Sequence, residues 1–181
     1  MTVAEHMDNS VQNVDIAIVG GAMAGATLAL ALARLSGTEK PLSIALIEAH
    51  LPDNNHPGFD ARSIAIAHGS IFELSRLGLW PKLAHLGTAI KDIHVSDRGH
   101  FGMTELNASQ FHLDALGQVV ELERVGQVLF SELNKTQVKR YCPAKLSALI
   151  PDIDSHTLVL DSGERICAKL VVAADGLQSK V

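Results

Sequence analysis

The fold is decided by residues 15–25, which read DIAIVGGAMAG. A short apolar run, Ile16 to Val19, stops at two glycines, and an alanine-rich stretch of helical character, Ala24 to Leu35, follows at once. This order of strand, glycine-rich turn and helix is typical of a βαβ unit that binds a dinucleotide, with the helix N-terminus at the pyrophosphate. These residue types therefore predict an α/β, Rossmann-like domain.

Two glycines of this stretch have predicted physical roles. Gly20 lets the chain turn sharply, and Gly25 lets the helix pack close to the strand. The N–H groups of the first helical turn would face the phosphates, and the helix dipole would add to the attraction. Ala22 replaces the second glycine of the fingerprint, and its methyl group narrows the approach to a phosphate without forbidding it. The alternative is a glycine-rich turn that joins a strand to a helix without any ligand.

An acidic residue ends the next predicted strand. Residues 42–48 read LSIALIE, a buried strand that finishes at Glu48, 28 residues after Gly20. The usual spacing is about 20 residues, and the longer connection from Ser36 to Pro41 accounts for the excess. A carboxylate here can accept hydrogen bonds from both ribose hydroxyls of an adenosine and would repel a 2′-phosphate, which disfavours an NADP-type adenosine. A polar strand end without a ligand is the alternative.

Composition narrows the class of protein. Hydrophobic residues make up 47% of the 181 residues and charged residues 19%, which is typical of a globular chain. A net charge of −5 and few aromatic residues argue against a nucleic-acid partner. The nine histidines show no metal-ligand spacing, so we expect no metal site. Cys142 and Cys167 fit no metal or CxxC motif and are expected to be reduced and buried, which indicates a cytoplasmic compartment.

Periodicity and turn residues predict the other elements. Residues 1–13 are expected to form a flexible tail, and residues 14–181 the α/β domain. The chain stops shortly after a predicted buried strand, so we expect it to be a fragment of a longer protein. Helices are predicted at 71–78, 80–86 and 119–134, strands at 89–96, 101–106, 138–141, 145–150, 157–160, 165–168 and 170–174, and a hairpin turn at 161–164.

Several segments resemble a known family. Residues 174–181 (ADGLQSKV) resemble the Asp-Gly motif of flavoprotein aromatic hydroxylases. With the N-terminal fingerprint, they make the chain similar to the p-hydroxybenzoate-hydroxylase-like superfamily. Within it, residues 25–30, 57–62, 94–100 and 116–122 resemble the ubiquinone-biosynthesis FAD-dependent hydroxylases. The two middle segments, 57–62 and 94–100, are much more specific than the fingerprint and the Asp-Gly motif.

The resemblance implies FAD bound in an extended form, with its adenosine in the βαβ unit. Arg62 would contact the cofactor near its phosphates and flavin, and Asp175 would lie near the pyrophosphate and the nicotinamide donor. The alternatives are a surface arginine and a plain strand-end turn. The residues expected to bind the cofactor are Gly20, Gly21, Ala22, Met23, Ala24, Gly25, Glu48, Ala49, Arg62, Asp175 and Gly176.

The resemblance also implies an activity for the complete protein. NAD(P)H would reduce FAD, O₂ would add to the flavin as a C4a-hydroperoxide, and one oxygen atom would go to a polyprenyl-methoxyphenol. No catalytic residue is assigned. The family's second flavin motif, a Gly-Asp pair, and most of its substrate domain normally lie beyond the Asp-Gly motif. Residues 14–181 are therefore expected to be a fragment of the FAD-binding domain with part of the substrate-domain strands. We expect this chain alone to be inactive and to bind FAD weakly, if at all.

A lipidic substrate further implies peripheral association with the inner face of the cytoplasmic membrane and a complex with other ubiquinone-pathway enzymes. Three alternatives stay open. One is a sister hydroxylase that acts at another ring position, the second is a stand-alone NAD- or FAD-binding module, and the third is a structural half-domain without ligand affinity.

Overall fold

A computed structural model describes residues 11–51 and 56–181, which divide into two compact units. The first unit combines the described residues up to Gly58 with residues 129–181, and the second unit spans 59–128. Most of the predicted tail, residues 1–10, lies outside the described residues, as do residues 52–55 of the predicted loop.

The described residues form eleven strands and four α-helices, numbered here in chain order. The strands are β1 Gln12–Val19, β2 Ile44–Ile47, β3 Ser63–Ala67, β4 Thr88–Ile90, β5 Asp92–Ser96, β6 Met103–Asn107, β7 Gly117–Glu121, β8 Lys139–Tyr141, β9 Leu146–Pro151, β10 His156–Leu160 and β11 Arg165–Ala173. The helices are α1 Met23–Leu35, α2 His68–Arg76, α3 Trp80–Leu83 and α4 Leu122–Leu133.

The first unit is built on one mixed sheet with the strand order β8-β2-β1-β11-β10-β9. The strands β8, β2, β1 and β11 run parallel, whereas β10 is antiparallel to both β11 and β9. The carboxyl ends of β1, β2 and β11 therefore meet at one edge of the sheet. The predicted α/β arrangement is confirmed, including a third parallel strand near residues 138–141 and the hairpin turn before β11.

Burial explains why this sheet reads as apolar runs rather than alternating residues. Ala17 and Ile18 of β1 are fully buried, and all four residues of β2 are buried. Strands in a parallel sheet are covered on both faces, so consecutive residues are apolar. On α1 the buried residues include Ala26 and Ala29, whose small side chains let the helix lie close to its neighbours.

The second unit contains a three-stranded antiparallel sheet, β3-β7-β4, and a separate β5–β6 hairpin. As predicted, α2 stops near Gly78, which adopts a left-handed φ of +64° just beyond the helix. Leu79, Trp80 and Leu83 are buried around α3. The β5 strand is exposed along its whole length.

Two predictions were wrong in the second unit. The predicted strand 89–96 is two strands, because the chain breaks at Lys91 and β4 pairs with β7 whereas β5 pairs with β6. The predicted helix 119–134 begins only at Leu122, because Val119 and Val120 belong to β7. Val120 is buried while Val119 is 38% exposed, which is the alternation of a sheet with one covered face.

Three further predictions needed correction in the first unit. The predicted strands 165–168 and 170–174 are the single strand β11, in which Leu170 is 52% exposed because the face covered at Ile166 and Ala168 is open there. β1 starts at Gln12, so the last residues of the predicted tail are part of the sheet. The two cysteines are free but only partly buried.

Candidate functional site

A cleft of about 550 Å³ lies in the first unit at the carboxyl ends of β1, β2 and β11. In an open α/β sheet, ligands bind outside these strand ends. Six of the predicted cofactor residues line the cleft: Gly20, Ala22, Glu48, Ala49, Asp175 and Gly176. Other lining residues include His50, His56, Pro57, Gly58, Lys145 and Lys180.

Gly20 joins three strand ends. Its N–H donates to the carbonyl of Ile47, and the neighbouring Val19 carbonyl accepts from the N–H of Ala174, at 2.8 and 2.7 Å. A Cβ on Gly20 would lie 2.3 Å from the Ala174 oxygen and 2.6 Å from the Asp175 nitrogen. The φ of Gly20 is +99°, which also favours glycine. The first fingerprint glycine is therefore required by the approach of the Asp-Gly segment.

The start of α1 lies directly after this turn. A Cβ on Gly25 would be 1.8 Å from the Gly20 oxygen, so only glycine lets the helix approach the strand this closely. Ala22 provides no side-chain cap, and the first turn has no acidic residue. The N–H of Ala26 donates to the Ala22 carbonyl at 2.9 Å, so the N–H groups of Met23 and Ala24 precede this first helical bond.

Glu48 holds the turn from the neighbouring strand. Its Oε2 accepts a short hydrogen bond from the Gly21 N–H, and its Oε1 accepts one from the His50 N–H at 2.8 Å. The Glu48 backbone is fixed too, since its N–H donates to Tyr141 and its carbonyl accepts from Ala144. The side chain is 7% exposed. This carboxylate is thus buried, oriented by backbone donors and placed beside the cleft.

The Glu48 carboxylate also affects the pKa of the Cys142 thiol. Burial raises the pKa of the Cys142 thiol, and the Glu48 carboxylate adds to that effect. The Cys142 Sγ lies 3.0 Å from the His50 carbonyl oxygen. Cys142 therefore resists ionisation, which is the opposite of what a nucleophilic cysteine requires.

Sequence reasoning missed His56, which it grouped with the other scattered histidines. The side chain is 3% exposed, and Nε2 lies 3.3 Å from Oε1 of Glu48. Its Nδ1 accepts a hydrogen bond from the Gly58 N–H at 3.1 Å. The position of His56 directly before the Pro57-Gly58 pair was a usable signal, because residues 57–62 already belonged to a family-like segment.

The departure at Ala22 has a partner that the sequence did not reveal. A Cβ on Gly58 would lie 2.5 Å from the Cβ of Ala22. Gly58 is therefore packed against the methyl group that replaces the usual fingerprint glycine. Any side chain at Gly58 would collide with this methyl group.

Asp175 carries an unsatisfied oxygen. Its Oδ2 accepts from the Lys180 N–H at 3.0 Å, whereas its buried Oδ1 has no hydrogen-bond partner among the described residues. A buried carboxylate oxygen normally accepts at least one hydrogen bond. Because Asp175 lines the cleft, a ligand hydroxyl or an ordered water is the natural donor.

Arg62 lies in the second unit, just before β3. Its Nε lies 2.7 Å from Oδ2 of Asp60, and the Arg62 side chain is 69% exposed. The hydrogen-bonded Arg62 guanidinium lowers the pKa of the Asp60 carboxyl. The carbonyls of Arg62 and Asp60 accept the N–H groups of Leu122 and Glu123, which open α4. The guanidinium thus pairs with a carboxylate in this structure, and its predicted cofactor contact stays a prediction.

The cleft fits the diphosphate and adenosine part of FAD. The helix N–H groups ahead of the first helical bond match phosphates, and the Glu48 carboxylate matches a ribose. Among the described residues, no cluster of three His, Cys, Asp or Glu side chains is placed to hold a metal ion. No helix of residues 11–51 and 56–181 is long and apolar enough to span a membrane.

Solved structures share this fold. The p-nitrophenol 4-monooxygenase PnpA from Pseudomonas putida superimposes with a TM-score of 0.75 at 20% identity, over 94% of this chain and 43% of that one. PqsL from Pseudomonas aeruginosa, described as a probable FAD-dependent monooxygenase, has a TM-score of 0.72 at 21% identity, over 94% and 44% of the two chains. At these identities the likeness establishes the fold.

Curated relatives confirm the resemblance to ubiquinone-biosynthesis hydroxylases. The ubiquinone hydroxylase UbiL of Rhodospirillum rubrum is 33% identical over 92% of this chain and 38% of its own length. The 3-demethoxyubiquinol 3-hydroxylase of Escherichia coli is 32% identical over 94% of this chain and 43% of its own length. The chain thus spans about two fifths of the length of these relatives.

The family model described as "FAD binding domain" matches residues 13–181, nearly the whole chain. Its match includes the glycine turn, Glu48 and the Asp-Gly segment, which the structure brings to one cleft. The chain therefore belongs to the FAD-binding domain family.

Proposed function

We propose that the first-unit cleft binds the adenosine diphosphate part of FAD. The observation that carries the proposal is the convergence of three distant segments on one cleft: the Gly20 turn, Glu48 and Asp175. Each segment follows the carboxyl end of a parallel strand, where nucleotides bind in this class of sheet.

Each part of the cleft has a proposed role in binding. The first-turn N–H groups of α1 donate to the pyrophosphate oxygens, and the turn at Gly20 brings the start of α1 to the cleft. Glu48 accepts from the adenosine ribose, since a carboxylate can accept about four hydrogen bonds and the backbone uses one on each oxygen. The unsatisfied Oδ1 of Asp175 accepts from a ligand hydroxyl or a bound water.

The redox and oxygen chemistry is supplied by FAD when it is bound. The residues of this chain bind the cofactor and orient it. Lys180 holds Oδ2 of Asp175 through its backbone N–H, which directs the other oxygen to a ligand. Glu48 is held by Gly21 and His50 in the same way. Arg62 is proposed as a further cofactor contact near the phosphates and flavin.

For the complete protein, we propose an FAD-dependent aromatic-ring monooxygenase of ubiquinone biosynthesis. It would use O₂ and NAD(P)H to hydroxylate a polyprenyl-methoxyphenol. The names of the two curated relatives support this proposal. The reference activity is 2-octaprenyl-6-methoxyphenol hydroxylation, because the four family-like segments resemble the bacterial 2-octaprenyl-6-methoxyphenol hydroxylase. Because such a substrate is lipidic, we also propose peripheral association with the inner face of the cytoplasmic membrane. The protein would act there in a complex with other ubiquinone-pathway enzymes.

Cofactor choice is tested by titrating the purified chain with FAD, FMN and NAD and following flavin fluorescence and heat. FAD should bind, weakly, and FMN should not, because FMN lacks the adenosine end. Binding of NAD without FAD would favour a stand-alone NAD module. Binding of none of the three would favour a structural half-domain.

A sister hydroxylase acting at another ring position is the second candidate, favoured by the name of the Escherichia coli relative. The intact protein that carries this chain would be supplied with NAD(P)H, ¹⁸O₂ and either a polyprenyl-methoxyphenol or a demethoxyubiquinol. The favoured proposal predicts one ¹⁸O atom in the first substrate. Labelling of the second substrate instead would select the sister activity, and hydroxylation by the isolated 181-residue chain would contradict its expected inactivity.

A further inference from the structure

His56 is a deeply buried imidazole to which the proposed function gives no role. Its side chain is 3% exposed. The ring lies 5.8 Å from the His50 ring and 6.0 Å from the Phe130 ring, measured between centroids. A polar ring in such surroundings is retained where its nitrogens meet polar partners. Nδ1 of His56 faces a donor, the Gly58 N–H, whereas Nε2 faces an acceptor, the Glu48 carboxylate. This difference defines the role of His56.

The hydrogen bond from Gly58 fixes the tautomer of His56. Nδ1 accepts from the Gly58 N–H at 3.1 Å, so Nδ1 carries no hydrogen in the neutral ring and Nε2 does. Nε2 is the nitrogen 3.3 Å from Oε1 of Glu48. The loop at Gly58 therefore presents the hydrogen-bearing side of the imidazole to the carboxylate.

The Glu48 carboxylate needs such a neighbour in order to point at a ligand. Its two backbone donors, Gly21 and His50, each hold one oxygen. The terminal torsion of a glutamate is broad, so an added contact from a third segment restricts the plane of the carboxylate. His56 comes from that third segment, beyond the loop that follows β2.

We propose that His56 is a positioning residue, which orients the Glu48 carboxylate for the adenosine ribose of the cofactor. The inference rests on the proposed function for its ligand and on the Glu48–His56–Gly58 geometry for its mechanism. His56 acts through Glu48 and does not itself contact the ribose. It therefore sets how strongly the site recognises the ribose hydroxyls.

Two substitutions of His56 test the roles of its two ring nitrogens separately. His56→Asn keeps an acceptor close to the Nδ1 position for the Gly58 N–H but removes the donor beside Glu48. His56→Gln reaches the Nε2 position with its amide nitrogen and so keeps the donor, while it loses the acceptor. If His56 only fills space or anchors the loop, His56→Asn is the milder change, whereas the proposal makes His56→Gln the milder one.

The ligand-free test is the amide proton resonance of Gly21, whose N–H donates to Glu48, in ¹⁵N-glycine-labelled protein. The proposal predicts an upfield move in His56→Asn and little change in His56→Gln. An unmoved resonance in both variants would overturn it. The other glycine amides report whether each variant is folded. If His56→Asn fails to fold, the ¹⁵N shifts of His56 in the unmutated chain decide, because a hydrogen on Nδ1 would overturn the proposal.

The ligand test compares FAD with its 2′-deoxyadenosine analogue. The unmutated chain and His56→Gln should prefer FAD about tenfold or more, as expected for a hydrogen bond to a charged group, and His56→Asn should lose most of this preference. Equal preference in all three proteins would overturn the positioning role while leaving the proposed function intact. Absence of FAD binding by the unmutated chain would instead reject the proposed function, and the Gly21 resonance would still decide the role of His56.

Discussion

The two units hold their predicted functional residues in different ways. In the first unit, Gly20, Glu48 and Asp175 lie far apart in sequence and meet at one cleft through backbone contacts. In the second unit, Arg62 pairs with Asp60, two residues away, and its side chain is 69% exposed. The first arrangement is fixed by the topology of the parallel sheet, whereas the second is a local pairing that the rest of the fold does not enforce. Residues at strand ends are thus placed by the fold, and a long exposed side chain is not.

The largest expected effect is at Gly25. Gly25→Ala places a Cβ 1.8 Å from the backbone oxygen of Gly20, which cannot yield without moving α1 away from β1. We expect a loss of about 4 kcal/mol or more in the free energy of unfolding, measured by urea denaturation. The matched control is Gly69→Ala, in α2, where a Cβ meets nothing within 4 Å. A Gly25→Ala protein within about 1 kcal/mol of the unmutated chain would contradict the close approach.

The next effect is at the Ala22–Gly58 contact. Gly58→Ala should cost about 1–3 kcal/mol, because the new methyl group overlaps the Cβ of Ala22. Ala22→Gly removes that obstacle, so the double variant should recover most of the loss in a double-mutant cycle. Additive effects of the two substitutions would show that the contact does not exist in solution.

The acid sensitivity of the folded state should depend on Asp15, in the middle of β1. Hydrogen bonds from Lys169 and Ser43 hold the pKa of the Asp15 carboxyl well below its usual range. A depressed pKa in the folded state stabilises the protein above the unfolded value, about 3.9, and this contribution is lost as the pH falls below it. Asp15→Asn should therefore flatten the loss of stability on the acid side, with a smaller effect than either glycine substitution.

The control for that experiment is Asp154→Asn, in the exposed bend before β10. Urea midpoints would be compared at several values between about pH 5 and pH 2, on both sides of the unfolded carboxyl pKa. Equal acid slopes for Asp15→Asn and the unmutated chain would contradict the role given to the Lys169–Asp15 pair.

The smallest effect on stability is expected at Arg62. An exposed ion pair between near neighbours is screened by solvent and contributes little, so Arg62→Gln should leave the urea midpoint almost unchanged. The proposed cofactor contact predicts a separate loss of FAD affinity in the same variant, and Arg76→Gln, in the exposed pair with Glu73, is a matched control. A large loss of stability would show that Arg62 has a structural role beyond Asp60.

The sequence predicted those parts of the fold that have local causes. The apolar run before Gly20, the helix after it and the stop near Gly78 follow from residue types within a few positions. The β7 strand was missed because Val119 and Val120 run into the helical pattern of α4 without a glycine or proline between them. The break at Lys91 has no local signal either, since it comes from the pairing of β4 and β5 with different partners.

The residues of the candidate site also divide into those that the sequence could predict and those that it could not. Glu48 and Asp175 could be predicted because a residue at the carboxyl end of a parallel strand has a fixed position relative to its neighbours. His56 could not, because its contacts with Glu48 and Gly58 arise from a loop whose path no periodicity encodes. Gly58 became informative only when the methyl group of Ala22 was seen beside it.

The central claim is that Glu48 and the glycine turn form the adenosine site of FAD. The most direct test is a calorimetric titration of the unmutated chain and of Glu48→Gln with FAD and, separately, with NAD. Glutamine keeps the shape of the side chain but puts an amide NH₂ in place of one of the carboxylate oxygens, each of which accepts a backbone N–H. We predict weak FAD binding, and a loss of FAD affinity of about tenfold or more in Glu48→Gln. Equal FAD affinity in both proteins, or binding of NAD in place of FAD, would contradict the claim.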